Sequence, residues 1–312
     1  MRPLRTAATG LAVAGAVAAA GAHVWARHVE IHLYTLREQV LEILPPGART
    51  IRVLHISDIH LMPDQDRKLD FLRYLETLRP HLVIDTGDNI ASAASVPVLA
   101  EAIAPLLRRP GAFVMGSNDM FEPAPKNPLR YFLPDPRPAG LTAARDPDLP
   151  TAELAARLSA HGWKDLTNAR AVIELAGMQV RLVGVDDPHL DRDEMPAPDP
   201  EPAPEGRPVL HLGVAHAPYR RVLDGFVADG ADLILAGHTH GGQLRLPGIG
   251  ALVTNCDLPR SQARGLSHWN GVPLNVSAGI GASPYSNYRM FTPPEATLLT
   301  LRAARPDRGG ED

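Results

Sequence analysis

The chain has 312 residues, 45% of them hydrophobic and 21% charged, with a formal net charge of −4. This is the composition of a globular protein, and the lack of any basic block excludes a dedicated nucleic-acid partner. The single cysteine, Cys256, excludes an intramolecular disulfide, and the length allows one large domain or two small ones.

Arg2 and Arg5 precede a run from Ala7 to Ala22 made almost wholly of Ala, Gly, Val and Leu. Residues 1–26 therefore read as a signal peptide or a membrane anchor. About 20 apolar residues are needed to span a bilayer, and this run approaches that only with Val24, Trp25 and Ala26 included. A shorter secretory core followed by small residues such as Ala18, Ala19 and Ala20 fits as well, and a soluble alanine-rich helix is the third reading. Arginines before the run and only Arg27 just after it favour an inside N-terminus. The expected location is membrane-associated or exported, with the folded domain on the outer side of the cytoplasmic membrane.

Residues 27–50 form a connection. Val29, Leu33, Leu36 and Val40 fall at helical spacing, which predicts a short amphipathic helix ended by Pro45, Pro46 and Gly47. From 51 to 303 apolar runs alternate with helical patterns. Helices are expected over Arg67–Leu78, Val96–Leu107, Thr151–Ala160 and Tyr219–Asp229. The chain then turns β-rich, at Gln243–Leu246, Ala251–Thr254, Val272–Ser277 and Ala296–Leu301, as the second sheet of a sandwich would. Residues 304–312 are a polar tail. Two stretches interrupt the pattern, with eight prolines in 123–150 and seven in 188–208; neither suits a regular helix or a central strand.

The chemistry sits at the ends of the apolar runs. Ile51–Ile56 is followed by Asp58 and His60, and His81–Ile84 by Asp88. Ala112–Met115 is followed by Asn118 and Asp119, Val209–Ala215 by His216, and Ala231–Ala236 by His238 and His240. Runs of four to eight apolar residues fit strands buried on both faces, and ligands gather beyond the carboxyl ends of such strands. Seven candidate ligands, Asp58, His60, Asp88, Asn118, His216, His238 and His240, would then meet at one sheet edge. That is too many for one tetrahedral ion and suits two ions sharing a carboxylate. Singly, each motif has an ordinary reading: Thr86-Gly87-Asp88 as a turn, His216 as a core histidine. Gly237-His-Thr-His-Gly241 is stronger, because flanking glycines let the backbone approach a ligand closely. Several imidazoles argue against magnesium and for manganese, iron or zinc. No Gly-x-x-x-x-Gly-Lys-Ser/Thr phosphate loop is present.

In this order and strand context the motifs resemble those of the calcineurin-like metallophosphoesterases, over roughly residues 51 to 302. The Gly241-Gly242-Gln243 that follows the last motif is similar to a bacterial branch with membrane-associated phosphodiesterases and lipid-pyrophosphate hydrolases. The resemblance implies a four-layered α/β/β/α sandwich of two mixed sheets flanked by helices. It also implies that Asp58, His60 and His240 hold one divalent ion, that Asn118, His216 and His238 hold the other, and that Asp88 bridges both. One departure stands out. The family usually reads Gly-Asn-His-Asp or Gly-Asn-His-Glu where this chain has Gly116-Ser117-Asn118-Asp119. Aligned without a gap, Ser117 takes the ligand position and Asn118 that of the catalytic histidine. A one-residue shift keeps Asn118 as the ligand and is preferred on chemistry, because an amide oxygen binds a hard metal better than a neutral hydroxyl. Either way the histidine is missing.

The expected catalytic set is therefore Asp88, Asn118, Asp119 and His189. His189 or Asp187, after the apolar run Gln179–Val185, would supply the absent proton donor or a metal contact; an Asx-type turn led by Asp186 is the alternative. Lys126 and Arg130, in the first proline-rich stretch, are expected to contact a substrate phosphate. The activity these features imply is phosphoric ester hydrolysis by a hydroxide held between two ions. The branch resemblance and the apolar N-terminus point to a lipid-linked or envelope phosphodiester or pyrophosphate as substrate, with a nucleotide or protein phosphate as the alternative. A metal-binding recognition protein with weak catalysis is the competing expectation.

Overall fold

The structure is a computed structural model that describes residues 2–125, 146–198 and 206–304. Lys126 and Arg130 fall outside the described residues, as do most of the acidic proline stretch (199–205) and of the polar tail (305–312).

Helix α1 (Arg2–Val24) runs into one turn of wider π winding over Trp25–Val29 and a 3-10 turn over Glu30–His32. Among the described residues no helix is long and apolar enough to cross a membrane. Buried Glu30 ties this segment to the body, accepting hydrogen bonds from the Trp25 indole (2.8 Å) and from the Thr292 amide.

The remaining elements in chain order are strands β1 (Thr35–Leu44) and β2 (Ile51–Ile56), helix α2 (Asp66–Glu76), β3 (Leu82–Asp85), helices α3 (Ser95–Ala102) and α4 (Ala104–Leu107), β4 (Gly111–Phe113), and helices α5 (Ser117–Met120) and α6 (Thr151–Ser159). Then come β5 (Lys164–Asp165), β6 (Ala169–Leu175), β7 (Met178–Gly184), β8 (Val209–Ala215), α7 (Arg220–Ala228) and β9 (Leu233–Ala236). The chain closes with β10 (Arg245–Leu246), β11 (Gly250–Ala251), β12 (Gly265–Trp269), β13 (Val272–Val276) and β14 (Glu295–Ala303).

These strands build two six-stranded sheets, ordered β1-β14-β2-β3-β4-β5 and β12-β13-β9-β8-β7-β6, with β10 and β11 as a separate hairpin. Both sheets are mixed. β2, β3, β4 and β5 run parallel in the first, and β7, β8, β9 and β13 in the second, while β14–β2, β6–β7 and β12–β13 are antiparallel pairs.

Side-chain alternation sets the layers. Ile51, Val53, Leu82, Ile84 and Val114 meet Val180, Leu182, Leu210, Leu212 and Leu235 between the sheets. The other faces pack on helices: Leu54, Ile56 and Phe113 against Leu72 and Leu75 of α2, Leu99 of α3 and Leu158 of α6, and Ile234, Leu274 and Val276 against Leu223 and Phe226 of α7. Two packed sheets with helices outside are the α/β/β/α sandwich that the motif order implies.

Two expectations need correction. The helix expected across Val29 to Val40 is helical only up to His32, in the π and 3-10 turns; from Thr35 the chain is the strand β1, paired in parallel with β14 over its length. Only Leu41 and Leu44 of that strand are buried, and Val40 is 54% exposed, so the three-to-four spacing marked no buried face. A neighbouring strand with free backbone groups outweighed a weak helical pattern. The C-terminal strands also do not form one second sheet. β14 inserts between β1 and β2 in the first sheet, and the second sheet begins at β6. The helix expected over Val96–Leu107 is present as two, α3 and α4, with Ile103 between them and Pro105 at the start of the second.

Candidate metal centre

Loops at the carboxyl ends of both sheets carry the candidate ligands. In register, Ile56 of β2 sits beside Asp85 of β3, and Asp85 beside Phe113 of β4. Ala236 of β9 lies beside Ala215 of β8 and Val276 of β13. The loops then bond to one another. The amides of Asp58 and His60 donate to Gly87 O (2.8 Å) and Asp88 O (2.9 Å), and those of Ile280 and Gly281 to Ser57 O (3.0 Å) and Asp58 O (2.6 Å).

Five of the seven candidates hold left-handed backbone: Asp58 (φ 48°), His60 (42°), Asp88 (56°), His238 (67°) and His240 (48°). Asp, Asn and His tolerate this region best among non-glycine residues, and such conformations persist only where the surroundings enforce them. Glycine is needed at two neighbouring positions because of close approach. A Cβ on Gly116 would fall 2.8 Å from the His216 ring, and one on Gly237 would fall 2.5 Å from Asp58 Oδ2.

All seven side chains converge. Ligand atoms of Asp58, His60 and His240 lie within 4.8 Å of one another, as do those of Asp58, Asp88 and His216. His60 Nε2 and His240 Nε2 are 3.2 Å apart, close to the separation of two nitrogens bound to one ion at about 2.0–2.1 Å. Asp88 Oδ2 is 3.5 Å from both His60 Nε2 and His216 Nε2. The His238 ring centre is 5.2 Å from that of His216. Asn118 reaches Asp88 twice, its backbone amide donating to Oδ1 (2.7 Å) and its Nδ2 to Oδ2 (2.8 Å). Ser117 lines the adjoining cavity; it is Asn118, not Ser117, that lies on the shared carboxylate.

The imidazoles are oriented from behind. His216 Nδ1 donates to Thr86 O (2.7 Å), which fixes the tautomer and leaves the buried Nε2 without a hydrogen-bond partner on the centre side. His238 Nε2 donates to Asn255 O (3.1 Å), making Nδ1 the acceptor nitrogen. Such outer contacts aim metal-binding histidines.

Burial dominates the protonation states. It lowers His60 to about 4, against the pull of Asp88, and lowers His240 well below the usual value, with His60 and Arg289 adding to the effect. Burial also raises Asp58 to about 6. Burial opposes charge on Asp88 and His216 as well, but there the two groups' mutual attraction wins. It holds the Asp88 carboxyl well below the carboxylate range and His216 well above the imidazole range. Neutral imidazoles beside an ionised carboxylate suit a cation, and a divalent ion would displace the His216 proton. The donor set thus fits divalent metal.

A cavity of about 380 Å³ opens over the centre. Its polar floor includes His60, Asp88, Asn118, His238 and His240, and its walls include Phe121, Leu190, Leu244, Leu252 and Val253. His189 stands in this cavity, its ring centre 4.4 Å from that of His238 and tilted 45° to it, with Nδ1 3.0 Å from the Tyr219 hydroxyl. Asp187 is fully buried; its Oδ1 caps the His189 amide (2.8 Å) and burial raises its pKa to about 7.

Asp119 does not belong to the catalytic face. Its carboxylate accepts from the amides of Asp88 (2.8 Å), Asn89 (2.7 Å), Ile90 (3.3 Å) and Gly116 (3.1 Å), and it is wholly buried. It clamps the Asp88 loop to the Gly116 loop. Reading the motif as a row of functional side chains missed this, because a short acid after a glycine turn serves backbone as readily as substrate. Tyr219, Thr86 and Asn255 also escaped notice. The last two act through main-chain oxygen, which residue type does not reveal.

The family model for calcineurin-like phosphoesterases matches residues 51–242. The chain is 24% identical over 307 residues to YkuE of Bacillus subtilis, an uncharacterized metallophosphoesterase, covering 94% of each. A transmembrane protein with a metallophosphoesterase domain from Bos taurus is 31% identical over 233 residues, 68% of this chain and 45% of the other. Phosphodiesterase YaeI of Escherichia coli is 31% identical over 144 residues, 46% of this chain and 49% of its own. With this match laid over the clustered donors, the chain belongs to the calcineurin-like phosphoesterases, hydrolases of phosphoric esters that bind divalent metal.

Proposed function

We propose that the protein is a dinuclear metal-dependent phosphodiesterase or pyrophosphatase-type hydrolase, acting on lipid-linked or envelope phosphoesters. The observation that carries this reading is the single oxygen, Asp88 Oδ2, equidistant at 3.5 Å from His60 on one side and His216 on the other. Asp58, His60 and His240 hold one ion, and Asn118, His216 and His238 the second, with Asp88 between them. When bound, a pair of divalent ions activates water for in-line attack and offsets charge building on the phosphoryl oxygens.

The chain's own groups do the rest. Thr86 O and Asn255 O fix the imidazole tautomers. His189, held by Tyr219 at the cavity wall, protonates the leaving oxygen in place of the histidine missing from the Gly116–Asp119 motif. The apolar wall from Phe121 to Val253 receives the non-phosphate part of the ester and excludes water from it. That wall supports a substrate with a hydrocarbon portion, and the relatives named as a phosphodiesterase and as a transmembrane protein support the same class. Manganese, iron or zinc is the metal that this imidazole-rich set favours. The apolar N-terminal segment belongs to the same reading, as an export or membrane-association signal with the catalytic domain outside.

The test is turnover of bis-p-nitrophenyl phosphate by the full chain with added manganese, alongside metal content and a screen of lipid-linked phosphoesters. Two equivalents of metal without hydrolysis of any ester would overturn the enzymatic reading in favour of a recognition protein. One equivalent with hydrolysis would overturn the dinuclear part.

A further inference from the structure

A second cavity, of about 300 Å³, lies against the 59–60 turn. Its lining includes Lys68 and Arg67 at the start of α2, Arg289 from the segment before β14, and Tyr34 from the start of the first sheet's edge. Two of these groups are buried cations. Lys68 is 4% exposed, and its ammonium donates to Ile59 O (2.7 Å) and His60 O (3.2 Å), two of its three donors. Among the described residues no carboxylate pairs with it. The charge that bears on it is Arg289, which is also positive.

Arg289 is fully buried and gives its donors to carbonyls, among them Ala278 O (2.7 Å), Gly279 O (3.1 Å) and Thr292 O (3.1 Å), with Nη2 also 3.4 Å from His240 Nδ1. Glu295, Asp58 and Glu30 offset its charge through space. Lys68 has no such offset, and burying it beside a second cation is costly unless an opposite charge joins it.

Further donors face the same space. The Tyr34 hydroxyl and the Arg67 guanidinium have no hydrogen-bond partner among the described residues. The 11-residue helix α2 also begins here, and its first amides and dipole favour an anion. Asp64 and Asp66 line the cavity too, but both side chains are exposed to water and neither acts on Lys68.

We infer that this cavity is a binding site for an oxyanion of the phosphate class, with Lys68, Arg289, Arg67 and Tyr34 as its donors. The site is distinct from the metal centre and does not depend on the proposed hydrolysis. It touches the centre's scaffold, since Lys68 holds the carbonyls on either side of the Ile59–His60 bond.

The probe is inorganic phosphate titrated calorimetrically into the metal-loaded full chain, with glycerol 3-phosphate as a second arm. Asp88→Ala removes binding at the metal centre and should leave one equivalent. In that background Tyr34→Phe, which keeps the ring stacked on Phe71, and Arg67→Ala, at an exposed position, should each weaken the remaining equivalent by about tenfold or more, as loss of a bond to a charged group does. Lys68→Met should abolish it. Binding of both ligands assigns the site to the head of a monoester, and binding of phosphate alone to the free ion. No phosphate bound by Asp88→Ala, or an equivalent indifferent to both surface substitutions, overturns the assignment. A wild type that binds no more phosphate than Asp88→Ala would instead count against the metal-centre reading alone.

Discussion

The two halves of the candidate centre are built differently. Asp58, His60 and His240 form a tight group whose imidazole nitrogens face each other at 3.2 Å, and each comes from an unaltered motif. The half around His216, His238 and Asn118 is looser. His238 is tied to Asn255 O, Asn118 hydrogen-bonds Asp88, and an added imidazole, His189, packs at a tilt against His238. The lesson is that strand ends fix where donors gather, whereas which group completes a coordination sphere depends on contacts from loops far away in sequence. The half with unaltered motifs should bind metal as those motifs imply, and the altered half should carry whatever sets this chain's chemistry apart.

The largest effect should come from the residue common to both halves. Asp88→Ala removes the one carboxylate oxygen that, among the described residues, lies 3.5 Å from both His60 and His216. Charge stabilisation by a metal pair is worth several kcal/mol, so kcat/KM should fall on the order of a thousandfold, with metal content falling in parallel. Retained activity would show that the halves work independently.

Next, the halves can be set against each other. His60→Asn should cost one full equivalent of metal. Asn118→Ala removes the one neutral amide of its set and leaves His216 and His238 in place, so it should weaken the second equivalent by roughly 10–100-fold, about 1.4–2.8 kcal/mol, without abolishing it. Equal losses in equilibrium dialysis would erase the asymmetry.

His189 tests whether the altered half supplies the missing proton. Hydrolysis of an ester with an alkyl leaving group should drop by about a hundredfold in His189→Ala, the lower end for general acid catalysis, while p-nitrophenyl esters, which leave without a proton, should react nearly as before. A uniform loss on both substrates would make His189 a packing partner of His238 and nothing more.

Much of this was legible in the sequence for a physical reason. A buried parallel strand must be a short apolar run, and the residue that leaves it must turn. Asp58, Asp88, His216 and His238 could therefore be placed at one edge before any coordinates. Asp119 could not be placed, because an acid that caps four backbone amides looks the same in sequence as one that touches substrate. β1 was misread for a related reason: an edge strand with two buried residues leaves too weak an alternation to compete with chance helical spacing. Arg289 and Lys68 were invisible, since burial of a cation depends on carbonyls gathered from three loops.

The smallest effect is a slope in stability with pH, and it distinguishes the two halves without catalysis. In the metal-free chain, burial raises Asp85 to about 8 and Asp119 and Asp187 to about 7. A carboxyl raised on folding binds more protons folded than unfolded between its two pKa values, so stability falls as pH rises through that window. His55, lowered to about 3, and His60, lowered to about 4, work the other way, but only up to the unfolded imidazole value of 6.5. His216, raised well above that value, adds to the fall once pH passes 6.5. The two groups therefore oppose each other below pH 6.5. Between about 6.5 and 8 Asp85 and His216, joined by Asp119 and Asp187 up to about 7, outweigh Lys68, which burial lowers to about 7 and which opposes them only from there upward. Tm of the metal-free protein should decline across that upper interval, and Asp85→Asn, which removes no candidate ligand, should flatten part of the decline. Added manganese should raise Tm most at the alkaline end, because metal binds the ionised carboxylates and neutral imidazoles. A metal-free Tm that rises from pH 6.5 to 7 would mean that Asp85, Asp119 and Asp187 are already ionised and paired without metal.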